Sequence, residues 1–262
     1  MARAGRRRAL GQHFLRDAAI ARVIVDLAGP GPADLVVEIG PGEGALTGLL
    51  ARRAGRVVAL EIDPVLAAAL SARMPEVEVV EADARTSDYG RLARPPGGRV
   101  LVVGNLPYSA SKPIVGALLE ARSAIDLMVL MLQREVAERL AAPPGTRVYG
   151  MLSVLAQATC DVEVALRVPP GAFRPPPKVE SAVLRVRPRA TPRVPPGLER
   201  RFRQVVRAAF AQRRKTLANA LTAGLGLPGT TAREAATAAG IDPGRRAETL
   251  SVEDFVSLAA RL

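Results

Sequence analysis

The stretch VVEIGPGEGALT, residues 36–47, decides the fold of this chain. A short apolar run comes first, then three glycines at alternate positions (Gly40, Gly42 and Gly44), and then the start of a helical pattern. Glycine lets the backbone approach a ligand closely, and the N–H groups at a helix start are free to bind it. The stretch therefore predicts a buried strand, a ligand-binding turn and a helix.

The same alternation of strand and helix continues along the middle of the chain. Further short apolar runs are separated by helical patterns, which implies βαβ units and an α/β fold with a mostly parallel, doubly wound sheet. The predicted strands are 34–39, 56–62, 77–82, 99–104 and 126–132, with helices near 45–54, 64–73, 112–122, 133–141 and 149–159. Two segments with alternating polarity, 161–168 and 180–188, predict an antiparallel pair at one edge.

The chain changes character after residue 188. Residues 189–197 are rich in proline and resemble a linker, and helical patterns follow to the end. The first of these places five apolar side chains on one face: Phe202, Val205, Val206, Ala209 and Phe210. Ser251 is a candidate N-cap of the last helix. We expect a Rossmann-like domain over 1–188, including a basic N-terminal arm, and a small all-helical domain over 189–262.

The composition restricts the class of protein. Hydrophobic residues make up 48% of the 262 residues and charged residues 24%, which is enough to build a core. No apolar run reaches the roughly 18 residues of a membrane span, so we expect no membrane partner. The single cysteine excludes an internal disulfide and is compatible with a reducing compartment, so we expect a cytoplasmic location.

The positive charge is concentrated at the two ends of the chain. The net charge is +12, of which residues 1–33 carry +4, residues 34–187 carry +1 and residues 188–262 carry +7. An arginine-rich composition explains the preference for Arg over Lys but not this distribution. A balanced middle with basic ends predicts contact with a polyanion such as RNA, through the N-terminal arm and the C-terminal domain. The C-terminal cluster consists of Arg213, Arg214 and Lys215.

Two acids stand at the ends of the second and third predicted strands. Glu61 could accept both hydroxyls of a ribose, and Asp83 could contact an adenine. The turn at Gly40 and Gly42 lacks the G-x-G-x-x-G spacing of a nicotinamide site, and there is no P-loop lysine. A ligand with an amino acid, a ribose and an adenine but no phosphate fits this set, which favours S-adenosylmethionine. The alternative is that Glu61 and Asp83 are ordinary loop acids.

The stretch VLVVGNLPYSASKP, residues 100–113, ends a buried strand in an amide, a proline and an aromatic ring. Methyl transfer to an adenine amine needs no nucleophilic triad and no metal, but the amine must be gripped. The Asn105 side-chain oxygen and the Leu106 carbonyl could accept its two N–H bonds. Pro107 would fix the turn, and Tyr108 would offer a flat face to the base. A plain turn is the alternative.

A set of motifs in the same order resembles those of a known family. It comprises LGQHFLRD, VEIGPGEGALT, EIDP, EADA, GNLPYSASKPI, MLQREVAERL, YGMLSVLAQ, FRPPPKVESAVLRV and FAQRRKTLANAL. Together they closely resemble the ribosomal RNA adenine dimethyltransferases, in particular the small-subunit (KsgA) branch. The resemblance extends to about residue 222.

This resemblance implies the fold of a class I S-adenosylmethionine-dependent methyltransferase, with S-adenosylhomocysteine as product. We also expect a monomer. By the family pattern, the cofactor contacts are His13, Leu15, Gly40, Glu61, Asp83 and Asn105. The family usually has Asn where His13 stands, although an imidazole can also donate a hydrogen bond. The pattern also suggests that Phe173 closes on the target adenine; its alternative is a core position under the proline-rich loop.

The activity implied is N6,N6-dimethylation of two adjacent adenosines in a hairpin loop near the 3′ end of 16S rRNA, with the small ribosomal subunit as partner. Three other functions remain open. They are an Erm-like methyltransferase of 23S rRNA, a DNA adenine methyltransferase, and an assembly factor whose RNA binding matters more than its catalysis. A DNA enzyme would need a larger sequence-reading domain than the roughly 75 C-terminal residues provide.

Overall fold

This computed structural model describes residues 13–212 and 214–262. Its main sheet has seven strands. Its strand order is β4-β3-β2-β5-β6-β9-β7. These strands are β2 Leu35–Ile39, β3 Arg56–Glu61, β4 Glu78–Glu81, β5 Val100–Asn105, β6 Leu127–Gln133, β7 Cys160–Val168 and β9 Ser181–Pro188. Every strand predicted from the sequence is confirmed, with ends within one residue of the expectation.

The direction of the strands follows the doubly wound pattern. Strands β2 to β6 pair in parallel, and β9 runs antiparallel to β6. Residues 100–103 of β5 (three valines and Leu101) have no exposed surface, as expected for a central strand covered on both faces. This is the predicted class I methyltransferase arrangement, a mostly parallel sheet with an antiparallel edge.

Ten α-helices accompany the strands within the described residues. They are α1 Ala18–Ala28, α2 Thr47–Ala51, α3 Pro64–Arg73, α4 Ser111–Glu120, α5 Arg134–Ala141, α6 Met151–Gln157, α7 Glu199–Phe210, α8 Leu217–Leu225, α9 Gly229–Ala238 and α10 Val252–Ala259. The last helix begins after Ser251, whose side chain accepts from the Asp254 N–H, so the predicted N-cap is confirmed. None of these helices has the length and apolar character needed to cross a membrane.

Two features of the fold were not predicted from the sequence. Helix α1 is capped at its start by the Asp17 side chain and at its end by Gly29 in the left-handed conformation. A separate two-stranded sheet joins β1 (Phe14–Leu15) to β8 (Phe173–Arg174) in antiparallel register. It brings the start of the described chain next to the proline-rich loop.

The chain divides into two compact units. The first contains the described residues up to 137 together with 163–188, and the second contains 138–162 and 189–262. Each unit has its own buried apolar cluster, and the second includes the predicted side chains Phe202, Val205, Val206 and Ala209. The predicted domains, 1–188 and 189–262, stay a prediction, because compactness alone does not test which segment folds by itself.

Candidate active site

A cavity lies at the carboxyl edge of the parallel strands in the first unit. The strand register aligns Ile39 with Leu60 and with Gly104, so the residues that follow these strands meet at one edge. Nine of the eleven predicted site residues line the cavity: His13, Gly40, Gly42, Glu61, Asp83, Asn105, Leu106, Pro107 and Tyr108. The sheet therefore brings the predicted cofactor residues and the predicted catalytic turn together.

The Glu61 carboxylate is tied to the backbone of the glycine-rich turn. Its Oε2 accepts from the Gly42 N–H at 3.0 Å, and its Oε1 accepts from the Asp63 N–H at 3.0 Å. The side chain is buried, and burial raises its pKa, while these N–H groups act in the opposite direction. A carboxylate has about four acceptor positions, so Glu61 can still accept hydroxyl groups from a ligand in the cavity.

Gly42 is required by both its conformation and its neighbours. Its φ of 56° lies in the left-handed region, and a Cβ there would come within 2.9 Å of the Phe14 ring. The turn is thus closed on one side by the β1 segment and on the other by Glu61, which fixes the wall of the cavity.

The Asp83 carboxylate is held differently, by a neighbouring arginine. The Arg85 Nε lies 3.0 Å from both Asp83 oxygens, and the Arg85 Nη2 donates to Oδ2 at 2.6 Å. The hydrogen bonds from this guanidinium lower the pKa of Asp83. Arg85 also lines the cavity. Sequence reasoning missed it, because nothing in the pattern EADAR indicates where the arginine side chain turns.

The Asn105 amide has a fixed orientation. Its Nδ2 donates to the His13 carbonyl oxygen at 2.9 Å. A carbonyl can only accept, so the nitrogen must face His13. Within the described parts of the chain, no hydrogen bond to Asn105 Oδ1 is found, and this oxygen is left as an acceptor for a ligand.

Tyr108 stands at the far end of the catalytic turn. Its hydroxyl lies 2.6 Å from the Ser181 Oγ, and the His13 ring lies 5.3 Å from its ring centre, tilted by 37°. The His13 Nδ1 is 2.8 Å from the Pro175 carbonyl oxygen, which makes Nδ1 the donor. Burial raises the pKa of the Tyr108 hydroxyl, so at neutral pH the ring presents an uncharged face.

Two predicted residues do not line this cavity. Leu15 and Phe173 are register partners in the β1–β8 sheet, and both are 4% exposed within the apolar cluster of the first unit. This position matches the alternative considered for Phe173, a core side chain under the proline-rich loop. Leu15 borders a second, smaller cavity beside the glycine-rich turn.

The smaller cavity contains an unexpected buried acid. Glu38 is 1% exposed, burial raises its pKa to about 8, and its Oε2 has no hydrogen-bond partner among the described residues. The cavity is also lined by Gly40 and Asn105, which it shares with the larger one. A single acid inside the apolar run LVVEI was the sequence signal that could have identified it.

The larger cavity has carboxylates at one end and neutral hydrogen-bond acceptors at the other. Such an arrangement suits a cationic ligand that carries hydroxyl and amino groups next to a flat amine-bearing ring. Among the residues that the structure describes, no cluster of three or more His, Cys, Asp or Glu side chains could hold a metal ion.

Comparison with known proteins identifies the family. The family model described as "Ribosomal RNA adenine dimethylase" matches residues 4–262. The chain belongs to this family. It is therefore a methyltransferase that acts on adenine in ribosomal RNA and uses S-adenosylmethionine.

Two curated relatives that match nearly the whole chain share one name. The "Ribosomal RNA small subunit methyltransferase A" of Geobacter metallireducens is 48% identical over 97% of this chain and 94% of its own length. The protein of that name from Syntrophotalea carbinolica is 49% identical over 95% and 94%. These relatives have the name of the small-subunit branch that the sequence motifs resemble.

Solved structures agree with the fold. A dimethyladenosine transferase from Plasmodium falciparum is 26% identical, with a TM-score of 0.78 over 94% of this chain and 96% of that one. The 23S rRNA methyltransferase ErmE is 32% identical, with a TM-score of 0.74 over 95% and 99%. The class I methyltransferase fold predicted from the sequence is confirmed.

Proposed function

We propose that this enzyme dimethylates N6 of two adjacent adenosines in a hairpin loop near the 3′ end of 16S rRNA, during biogenesis of the small subunit. The observation that carries the proposal is the Asn105 amide, whose nitrogen is bound by His13 and whose oxygen is available in the cavity. Identity of 48% to a small-subunit enzyme, against 32% to ErmE, supports small-subunit rRNA over 23S rRNA.

The residues present fit S-adenosylmethionine. Glu61 would accept the ribose hydroxyls, Asp83 would accept from the adenine amine, and Gly40 and Gly42 would let the backbone approach. Glu38 Oε2, which has no hydrogen-bond partner among the described residues, lies in the smaller cavity that Leu15 also lines and is a suitable acceptor for the ammonium group of the amino-acid end. When bound, the cofactor supplies a methyl carbon that its sulfonium makes electrophilic.

The catalytic turn would act on the acceptor base. Asn105 Oδ1 and the Leu106 carbonyl would accept hydrogen bonds from the two N–H groups of the target amine. These bonds would draw its nitrogen towards a tetrahedral geometry. Pro107 would hold the carbonyl in place, and the Tyr108 ring would stack on the base after it leaves the RNA stack. Positioning the two reactants in line would supply most of the acceleration.

The positions of His13 and Phe173 determine what each could contribute. His13 would contribute through its carbonyl, which orients Asn105, and through its ring beside Tyr108. A stacking role for Phe173 stays a prediction, and it requires the ring to leave the buried position that it has here.

RNA would be held by the basic ends of the chain. Arg214 and Lys215 are exposed, whereas Arg213 and the basic arm over residues 1–12 lie outside the described residues. Replacing Arg213, Arg214 and Lys215 together should weaken RNA binding and leave cofactor affinity unchanged. Each lost phosphate contact should flatten the dependence of log affinity on log salt by roughly 0.7–0.9, and an unchanged slope would contradict this role. We further propose that the enzyme is a cytoplasmic monomer.

Methyl incorporation tests the proposal directly. Purified small subunits, naked 16S rRNA and naked 23S rRNA would be compared as substrates, and the product would be analysed for N6,N6-dimethyladenosine. We expect dimethylation of the small-subunit RNA at two adjacent positions. Modification of 23S rRNA alone would favour the Erm-like activity, and tight subunit binding without turnover would favour an assembly factor.

A further inference from the structure

The Asp83–Arg85 pair is a strongly oriented side-chain contact in the cavity, and the role of Arg85 in it is a separate question from that of Asp83. Besides the guanidinium contacts, the Arg85 backbone N–H donates to Asp83 Oδ1 at 2.9 Å. Three N–H groups of one residue therefore bind both oxygens of one carboxylate. Since the guanidinium is planar, this arrangement fixes the plane of the carboxylate as well as its position.

The number of acceptor positions on Asp83 gives this geometry a consequence. A carboxylate offers about four acceptor positions. The Arg85 backbone N–H and Nη2 use one each, and Nε is shared between the two oxygens. Three N–H groups of Arg85 are therefore spread over both oxygens, and both residues line the cavity that contains Glu61. The direction from which Asp83 can accept from a ligand is thus set by Arg85.

Arg85 also sets the charge and protonation of this end of the cavity. It forms an ion pair with Asp83 and lowers its pKa, so the carboxylate remains ionised and can only accept hydrogen bonds. The Arg85 side chain is 50% exposed, and an ion pair in such a position contributes little to stability by itself. Its contribution should therefore appear in ligand recognition rather than in folding.

We propose that Arg85 is a positioning residue that orients the Asp83 carboxylate towards the 6-amino group of the cofactor adenine and so sets the preference of the enzyme for that group. The inference rests on the proposed cofactor site, in which Asp83 accepts from this amine. An adenine amine meets one correctly oriented acceptor, whereas a purine without the amine leaves that acceptor unpaired.

Calorimetry with two ligands tests the proposal. The first is S-adenosylhomocysteine, and the second is its analogue with hydrogen in place of the 6-amino group. The wild-type protein should bind the first about tenfold or more tightly than the second, as expected for a hydrogen bond to a charged group. In Arg85→Ala this ratio should fall at least about threefold, since the carboxylate is no longer held in one plane.

Two further variants separate orientation from charge and from general effects. Arg85→Lys keeps the positive charge but lacks the planar fork, so its ratio should also be reduced. Arg91→Ala is the matched control, because Arg91 forms an exposed pair with Asp88 and does not line the cavity. Its ratio should equal that of the wild type, and the melting temperatures of all three variants should stay close to the wild-type value.

The outcomes distinguish this inference from the proposed function. If the wild type prefers the amine but Arg85→Ala keeps the same ratio, Arg85 has no positioning role and the inference is overturned, while the cofactor site stands. If Arg85→Lys keeps the wild-type ratio and Arg85→Ala does not, charge rather than orientation is responsible, and the inference is again overturned. If the wild type itself shows no preference, the Asp83 contact in the proposed function is wrong, and the inference fails with it.

Discussion

The two ends of the cavity hold their functional atoms in different ways. At the cofactor end, Glu61 and Asp83 carry charge, and N–H groups of the protein already bind their oxygens. At the catalytic turn, Asn105 and Tyr108 are neutral, and the amide oxygen is left for a ligand. We therefore expect charge at the cofactor end to govern affinity and the uncharged, oriented acceptor at the catalytic turn to govern rate.

The largest effect is expected at the neutral end. Asn105→Ala removes the acceptor for the target amine, which matters most when the nitrogen becomes tetrahedral. Removal of one such oriented partner typically costs about a hundredfold or more in rate. Single-turnover methylation at saturating RNA and cofactor should show this loss, with little change in RNA affinity.

The other asparagine of the chain provides the control for this experiment. Asn219 is exposed on α8, and Asn219→Ala should behave as the wild type. If the rate for Asn105→Ala is within about threefold of the wild-type rate, far from the typical loss above, the turn has only a structural role and the two ends of the cavity do not differ in this way.

The charged end should respond in affinity. Glu61→Ala should weaken S-adenosylmethionine binding by roughly 1.5–3 kcal/mol, because the ribose hydroxyls lose a charged acceptor. Titration calorimetry measures this directly. Glu81 is the register partner of Glu61 on β4 but is exposed and does not line the cavity. Glu81→Ala should therefore leave the affinity unchanged, and equal affinities in all three proteins would remove Glu61 from the site.

The buried acid in the smaller cavity should make the stability of the protein depend on pH. Glu38 has a pKa raised to about 8 by burial, so the folded ligand-free protein holds a proton that the unfolded chain releases at lower pH. The stability that this proton provides is complete below the ordinary glutamate pKa and is lost as the pH rises towards 8. The free energy of unfolding of the wild type, measured with denaturant and relative to that of Glu38→Gln, should therefore fall by roughly 1.4 kcal/mol per pH unit between about pH 5 and 8. Parallel curves for the two proteins would show that Glu38 is ionised in the fold.

The smallest effect is expected for the Tyr108 hydroxyl. Tyr108→Phe removes the contact with Ser181 but keeps the flat ring that the base would stack on. Turnover should change by less than about threefold, and stability by about 1 kcal/mol, the usual net value of one hydrogen bond. Chemical unfolding and single-turnover rates check the two parts. A large loss of rate would assign the hydroxyl, rather than the ring, to the reaction.

Much of the first unit could be predicted because its central strands β2, β5 and β6 are buried on both faces. Such strands appear as continuous apolar runs, and the residues that follow parallel strands share one edge. Helix α1 could have been predicted as well, since Asp17 and Gly29 are common N-cap and C-cap residues. It was missed although the signals were local.

The remainder of the site depends on contacts between distant residues or on side-chain direction. The β1–β8 sheet has two residues in each strand, too few for any pattern, and its partners lie far apart in sequence. It is this pairing that puts Leu15 and Phe173 in the core instead of in the larger cavity. The Asp83–Arg85 pair is close in sequence, but only the rotamer of Arg85 decides whether it points into the cavity or into solvent.

The β1–β8 pairing also sets an order of events during translation. Leu15 meets Phe173 across about 160 residues of intervening chain. At a typical ~5–20 residues per second, roughly 8–30 s pass between the synthesis of these two residues. His13, whose carbonyl holds the Asn105 amide, belongs to this late-docking segment. The parallel strands β2 to β6 can pair on the nascent chain before then, but the active site is completed only after the ribosome has passed the proline-rich loop.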